Sequence, residues 1–171
     1  MRIIETKAYK FDELSPEAQE KAIEKLWDCN VEFGDWWNYT YEDAENVGLK
    51  ITDFDLDYHT IHGEFTDSAD YTASKIMENH GMTCETYLTA RGYIQERDQF
   101  LKTAERDEYG ELATYKLEHE LEDIEKDFLS SLLEDYRMML NKEYDYLTGR
   151  EAIIETIQEN EWEFTENGKK I

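Results

Sequence analysis

Residues 111–147 read ELATYKLEHELEDIEKDFLSSLLEDYRMMLNKEYDYL, and the spacing of their apolar side chains decides the fold class. Leu117, Leu121, Ile124, Phe128, Leu132, Tyr136, Met139 or Leu140, and Tyr144 recur mostly at steps of three and four. That is the period of one face of a helix. Ahead of it, within residues 83–106, Tyr87, Ile94 and Leu101 repeat at seven-residue intervals. Asp107-Glu108-Tyr109-Gly110 separates the two segments. The simplest reading is a long antiparallel helical hairpin over about residues 83–147.

Shorter elements flank this hairpin. Ile3 to Phe11 predicts a first strand, with Ile4 alternating against Glu5, Lys7 and Lys10. Ser15-Pro16-Glu17 predicts a helix start, with Ser15 as N-cap and Pro16 at the first helical position. Its inner face would carry Ala18, Ala22, Ile23, Leu26 and Trp27. Thr40 can cap a short helix through Val47, closed by Gly48. From Lys50 to Tyr58, Ile51 and then Phe54, Leu56 and Tyr58 alternate against Asp53, Asp55 and Asp57. With Ile61 to Phe65 they predict a β-hairpin. Asp67 caps a helix ending at Asn79-His80-Gly81, and Thr148 caps one through about Gln158. Trp162 and Phe164 suggest a last strand that could join the first strand and the hairpin in one sheet. The expected class is α+β: a small antiparallel sheet with several helices, in a single domain covering residues 1–171.

Charge is the dominant compositional fact. The 171 residues hold 42 Asp and Glu against 18 Lys and Arg, a net charge of −24. High charge with low hydrophobicity usually means disorder, but 4 Trp, 12 Tyr and 7 Phe are enough to build a core. The acids are spread along the chain rather than gathered in a tail. Such a surface repels nucleic acid and acidic membranes and attracts basic surfaces. No stretch approaches the length of a membrane span. The first residues lack the apolar region of an export signal, and Cys29 and Cys84 give no disulfide framework. We therefore expect a cytoplasmic protein with reduced thiols.

Chemistry-bearing motifs are sparse. Asp53, Asp55, Asp57 and Glu64 fall at positions 1, 3, 5 and 12 of a calcium-loop template. Tyr58 occupies the position that needs glycine, however, and the flanks read as strands. The favoured reading is an exposed strand face bearing three aspartates. His59 and His62, or His80 with Cys84, match no zinc spacing. Nucleophile, phosphate-loop and dinucleotide motifs are missing. The chain is thus expected to be a non-enzyme with no metal and no other cofactor.

Two features remain. Trp27, Phe33, Trp36, Trp37, Tyr39 and Tyr41 crowd together, and most would plug a core. Adjacent Trp36 and Trp37 cannot easily both face inward, so one could serve as an interface anchor. Residues 118–127 carry Glu118, Glu120, Glu122, Asp123, Glu125 and Asp127, whose mutual repulsion on one helix is unfavourable by a few tenths of a kcal/mol per pair.

The stretches Glu13-Leu-Ser-Pro-Glu-Ala-Gln-Glu-Lys-Ala22 through Trp36-Trp37, and Glu151-Ala-Ile-Ile-Glu155 through Glu161-Trp-Glu-Phe-Thr-Glu-Asn-Gly-Lys169, resemble small acidic proteins of bacteriophages and prophages. Some of those carry an antitoxin label. The resemblance is confined to the two ends and transfers no site residue. It implies an anti-defence setting, since many phage inhibitors of restriction or CRISPR systems are folded polyanions filling a nucleic-acid groove.

Two functions are expected from these features. The first is an inhibitor that binds a basic nucleic-acid-binding protein as a DNA mimic. Its contacts would be Asp53, Asp55, Asp57, Glu118, Glu122, Glu125 and Asp127, with Trp36 or Trp37 as apolar anchor. It would not bind nucleic acid directly. The alternative is an antitoxin-like or adaptor module that holds a partner through the aromatic cluster.

Overall fold

Ser15 starts the first helix as its sequence dictates: Pro16 takes the first helical position, and the Ser15 hydroxyl accepts the Ala18 amide at 3.3 Å. A computed structural model describes residues 7–32 and 34–171. The elements in order are β1 (Tyr9–Lys10), α1 (Pro16–Lys25), α2 (Asn38–Asn46), β2 (Leu49–Asp55), β3 (Thr60–Phe65), α3 (Ala69–Asn79), α4 (Glu85–Thr103), α5 (Tyr115–Leu147), α6 (Arg150–Glu159) and β4 (Glu163–Phe164). The class is α+β. Among the described residues no helix is long and apolar enough to cross a membrane.

Contacts divide the chain into two compact units, one built from its ends up to Trp36 and from Lys142, the other from Trp37–Asn141. In the terminal unit β1 pairs antiparallel with β4, Tyr9 opposite Phe164 and Lys10 opposite Glu163. Phe11, Leu14, Ala18, Ala22, Ile23, Ile153, Ile157 and Phe164 form its core. Phe11 meets Phe164 edge to face at 6.2 Å. Asn30 ties loop to helix: its Nδ2 donates to the Leu147 carbonyl at 2.9 Å and its Oδ1 accepts the Thr156 hydroxyl at 2.7 Å. Gly168, at φ +79°, lies so close to the Ala18 carbonyl that a Cβ could not be accommodated.

The central unit stacks the β2–β3 hairpin and four helices around Leu49, Ile51, Ile76, Tyr93, Phe128, Leu132 and Tyr136. Burying each such side chain contributes about 1.5–3 kcal/mol. α4 and α5 run antiparallel. Thr89 donates to Asp135 at 2.6 Å, and one turn further along α4 the Tyr93 ring stacks on Phe128 at 4.4 Å. Phe65 of β3 covers the same Phe128 ring at 5.5 Å. Gly63 gives β3 its close approach to α5, because a Cβ there would lie 2.8 Å from Leu133 Cδ2.

Several sequence expectations need correction. Within the described residues the first strand holds only Tyr9–Lys10, since Phe11–Glu13 coil into a 3-10 turn; Ile3 to Glu5 lie outside the described residues. The strands form two separate two-stranded sheets rather than one. Thr40 lies inside α2, whose N-cap is Trp37. Asp67 accepts the Ser68 amide, and Ser68 is the α3 cap, accepting the Tyr71 amide at 3.1 Å. The Thr148 hydroxyl turns back to the Tyr144 carbonyl at 2.8 Å, which leaves Gly149 as the α6 N-cap. Trp27, expected on the inner face of α1, is 51% exposed because α1 ends at Lys25. Tyr87, Ile94 and Leu101 are only half-buried, whereas Thr86, Ala90 and Tyr93 form the inner side of α4.

Candidate functional site

The central unit carries 25 Asp and Glu against 9 Lys and Arg, a net charge of −16 out of the chain's −24. Its hairpin holds the first group. β2 and β3 pair from Leu49 opposite Phe65 to Asp55 opposite Thr60, with an irregularity between Ile51 and Asp53. That bulge moves the inner face from odd to even positions, so Ile51 is buried and Phe54 points to the same side. Trp37 and Tyr41 meet Phe54 edge-on at 5.9 Å and 6.1 Å. Asp53 is left exposed beside Tyr41, whose hydroxyl is pushed up by burial and then by that carboxylate.

Alternation stops at Asp55. Its Oδ1 accepts the Tyr58 amide at 2.9 Å, and His59 adopts φ +54°, so residues 56–59 form a turn instead of continuing the strand. Asp57 is exposed on this turn, Asp55 is half-buried, and Tyr58, expected on the inner face, is 81% exposed. The tip is therefore acidic and aromatic together. Arg137 of α5 places Nη1 3.4 Å from His59 Nδ1 while its guanidinium holds Glu134 at 2.5 Å.

The second group lies on α5. At 100° per residue Glu118, Glu122 and Glu125 share one face, whereas Asp127 lies about 180° around the helix from Glu118. Glu118 and Glu122 are exposed. Glu122 also meets His119 at 3.1 Å and Lys126 at 3.7 Å. Glu125 is half-buried, and burial, followed by Asp70 and Glu122, raises its carboxyl above the ordinary range. Asp127 is exposed toward α4 in a groove with Glu96. The helix thus carries two acidic flanks. His59 meets Arg137, 19 residues beyond Glu118, so the acidic tip and the start of the acidic helix lie about 28 Å apart along the axis.

Neither expected tryptophan anchor is fully exposed. Trp36 is half-buried with its ring 5.7 Å from Tyr144, and Trp37 is half-buried beside Phe54. The most open aromatics include Tyr39 at 86%, Tyr109 at 82%, Tyr58 at 81% and Tyr115 at 77%; of these Tyr39 belongs to the aromatic cluster and Tyr58 to the hairpin tip. For Tyr58 the signal was its place after three alternating aspartates, where a turn competes with the strand.

A polar centre links the helices of the same unit. Tyr136, fully buried, donates to Asp43 Oδ2 at 2.9 Å. His80 places Nε2 3.5 Å from Asp43 Oδ1 and Nδ1 2.8 Å from the Thr86 hydroxyl. The imidazole, followed by the Tyr136 hydroxyl, outweighs burial and holds the Asp43 carboxyl below its ordinary range. At 3% exposure Thr86 is sealed from solvent, so this row pins helices together rather than presenting a nucleophile. Among the described residues no three His, Cys, Asp or Glu side chains converge to hold a metal ion. Both cysteines are free; Cys84 is exposed, not buried as small hydrophobic cysteines usually are.

Comparison of the chain with protein-family models, with curated proteins and with solved structures gives no match.

Proposed function

We propose that this chain is a non-enzymatic anionic protein that binds a basic nucleic-acid-binding protein in place of its nucleic acid. The observation that carries the reading is the placement of carboxylates on the central unit. Asp53 and Asp57 at the hairpin, and Glu118, Glu122 and Asp127 on α5, stand in solvent around an ordered core. They extend over about 28 Å of helix axis, the length of roughly eight base pairs at 3.4 Å each. A rigid acidic body of that reach releases the counterions of a cationic groove much as a duplex does. The resemblance at the chain ends supplies a setting, in which the target is a host restriction or CRISPR protein.

A salt-eluted pull-down from host lysate, followed by competition with duplex DNA, tests the reading. The captured protein should be basic, and DNA and this chain should exclude one another. Log affinity should fall steeply with log salt. Replacing Asp53, Asp55 and Asp57 by Asn should lower both affinity and slope. This chain alone should not shift duplex or single-stranded nucleic acid.

A second reading rests on the exposure of Tyr58 and Tyr39. Large aromatic side chains are common interface hot spots. In that case the partner is held by aromatic contact and acidity serves solubility. Binding would then tolerate salt and be lost in Tyr58→Ala.

A further inference from the structure

Among the described residues Arg97, Lys75 and Lys170 lie over aromatic rings, and two of these cations meet a carboxylate as well. Arg97 stands 5.8 Å from the centre of the Tyr93 ring while its guanidinium pairs with Asp70 and, at 2.6 Å, with Asp98. Lys75 stands 5.7 Å from the centre of the Tyr71 ring and meets Glu78 at 3.0 Å. A tyrosine face attracts a cation, and a carboxylate beside it completes the site. This fold therefore holds two of its own cations on a tyrosine and a carboxylate together.

Two turns of the central unit present the same pair of groups without a cation of their own. At the hairpin tip Asp57 precedes Tyr58, and in the α4–α5 connection Glu108 precedes Tyr109. The tyrosines are 81% and 82% exposed, and both acids stand in solvent. An aspartate fixes each turn: Asp55 Oδ1 accepts the Tyr58 amide and Asp107 Oδ1 the Tyr109 amide, both at 2.9 Å. The residue after each tyrosine takes a positive φ, +54° at His59 and +85° at Gly110. Cations beside the turns are engaged otherwise. Arg137 holds Glu134 at 2.7 Å and 2.5 Å, and Arg106 donates Nη1 to the Gly110 carbonyl at 2.7 Å. Among the described residues neither Asp57 nor Glu108 has an ion-pair partner.

We infer that each turn receives an arginine of a basic protein partner, its guanidinium stacked on the tyrosine and paired with the preceding carboxylate. Arginine fits better than lysine, because its planar guanidinium both stacks on a ring and meets a carboxylate with two N–H groups at once. The net charge of −16 on the central unit draws such a partner in. The first turn adjoins Arg137 and the second precedes Tyr115, so about 33 Å of α5 axis separates their anchors. Two receptors at that separation match arginines spread along a groove. The inference rests on the proposed binding of a basic partner. It adds to the broad acidic field two contacts that read the identity of a side chain, which charge alone does not.

The test titrates blocked hexaarginine and hexalysine peptides into the full chain, read by backbone amide shifts and by affinity. Tyr58→Leu with Tyr109→Leu removes both rings while keeping apolar bulk and charge. Asp57→Asn with Glu108→Gln keeps the rings and removes two charges. Glu45→Gln with Glu64→Gln removes the same charge from exposed positions outside the turns. In the parent protein the amides of Tyr58, His59, Tyr109 and Gly110 should shift, and hexaarginine should bind about threefold or more tighter than hexalysine. The first two variants should each weaken hexaarginine about fivefold or more. The third should weaken it less than about twofold.

Equal hexaarginine affinity in the parent and in Tyr58→Leu/Tyr109→Leu would overturn the receptors while leaving the polyanion reading in place. Equal affinity of the parent for the two peptides would do the same. So would a loss in Glu45→Gln/Glu64→Gln as large as that in Asp57→Asn/Glu108→Gln. Absence of peptide binding to the parent would overturn both readings. If Tyr58→Leu/Tyr109→Leu unfolds by circular dichroism, the Asp57→Asn/Glu108→Gln pair and the preference for arginine over lysine decide.

Discussion

Tyr136 and Asp43 lie 93 residues apart in sequence, and the Tyr136 hydroxyl donates to Asp43 Oδ2 at 2.9 Å, joining α5 to α2. The bond forms inside the central unit, where Tyr136 is fully buried. Tyr136→Phe keeps the ring and removes the donor. We expect a loss of about 1–2 kcal/mol, because the Asp43 side chain is 40% exposed and water can replace part of the bond. Urea unfolding at neutral pH should show a lower midpoint at unchanged slope.

The same carboxylate makes stability depend on acid. The folded state holds Asp43 below its ordinary value of 3.8, so its contribution is complete above that pH. It disappears as pH falls through the lower folded value. Tyr136→Phe should flatten this acid limb. An unchanged acid limb would mean that the Tyr136 hydroxyl does not contribute to lowering the Asp43 carboxyl, leaving that to the His80 ring.

Asp135 has the opposite sign. Burial raises its carboxyl above 3.8, and the Thr89 hydrogen bond offsets this only in part. The folded protein therefore binds that proton more tightly than the unfolded chain, and stability falls as pH rises from 3.8 through the raised value. Asp135→Asn removes the dependence and should raise the urea midpoint at neutral pH. A lower midpoint there would show that the carboxylate is favourable where it stands.

Gly63 should not tolerate a methyl group. Its Cβ would lie 2.7 Å from the Lys50 carbonyl and 2.8 Å from Leu133 Cδ2. The first obstacle is backbone of the paired strand, which has no room to give way. Gly63→Ala should destabilise by about 1–3 kcal/mol, the usual range for overpacking. Thermal melts of parent and variant at matched salt measure it.

Stability should rise with salt. At net −24 the folded chain repels itself. Ion pairs such as Lys116–Glu120 and Lys126–Asp123 lie at the surface, where each contributes little. Going from about 0.01 M to about 0.1 M sodium chloride shortens the Debye length from roughly 30 Å to roughly 10 Å. The urea midpoint should increase across that range. A decrease would mean that attractive pairs outweigh the repulsion.

Local signals in the sequence carried most of the architecture. Period-three-and-four spacing located α5, and the step from Ile51 to Phe54 already contained the bulge that the hairpin shows. Pairing of the first and last strands was also legible, in part: Tyr9 does oppose Phe164. Caps were ambiguous wherever two side chains compete. Ser68 displaced Asp67, and Thr148 found a carbonyl behind it rather than an amide ahead. Tyr58 faces solvent because the Asp55 side chain closes a turn, an event that alternation along a strand does not record.

Trp36 and Trp37 offer a spectroscopic consequence. One peptide bond separates them, yet Trp36 packs on Tyr144 in the terminal unit and Trp37 on Phe54 in the central one. Of the four tryptophans, Trp27, Trp36 and Trp162 belong to the terminal unit and Trp37 alone to the central one. Subtracting the emission of a Trp37→Phe variant from that of the parent therefore isolates one core optically, and the variant's own signal follows the other. Two denaturation curves from neighbouring residues then report whether the two cores melt as one cooperative body or in succession.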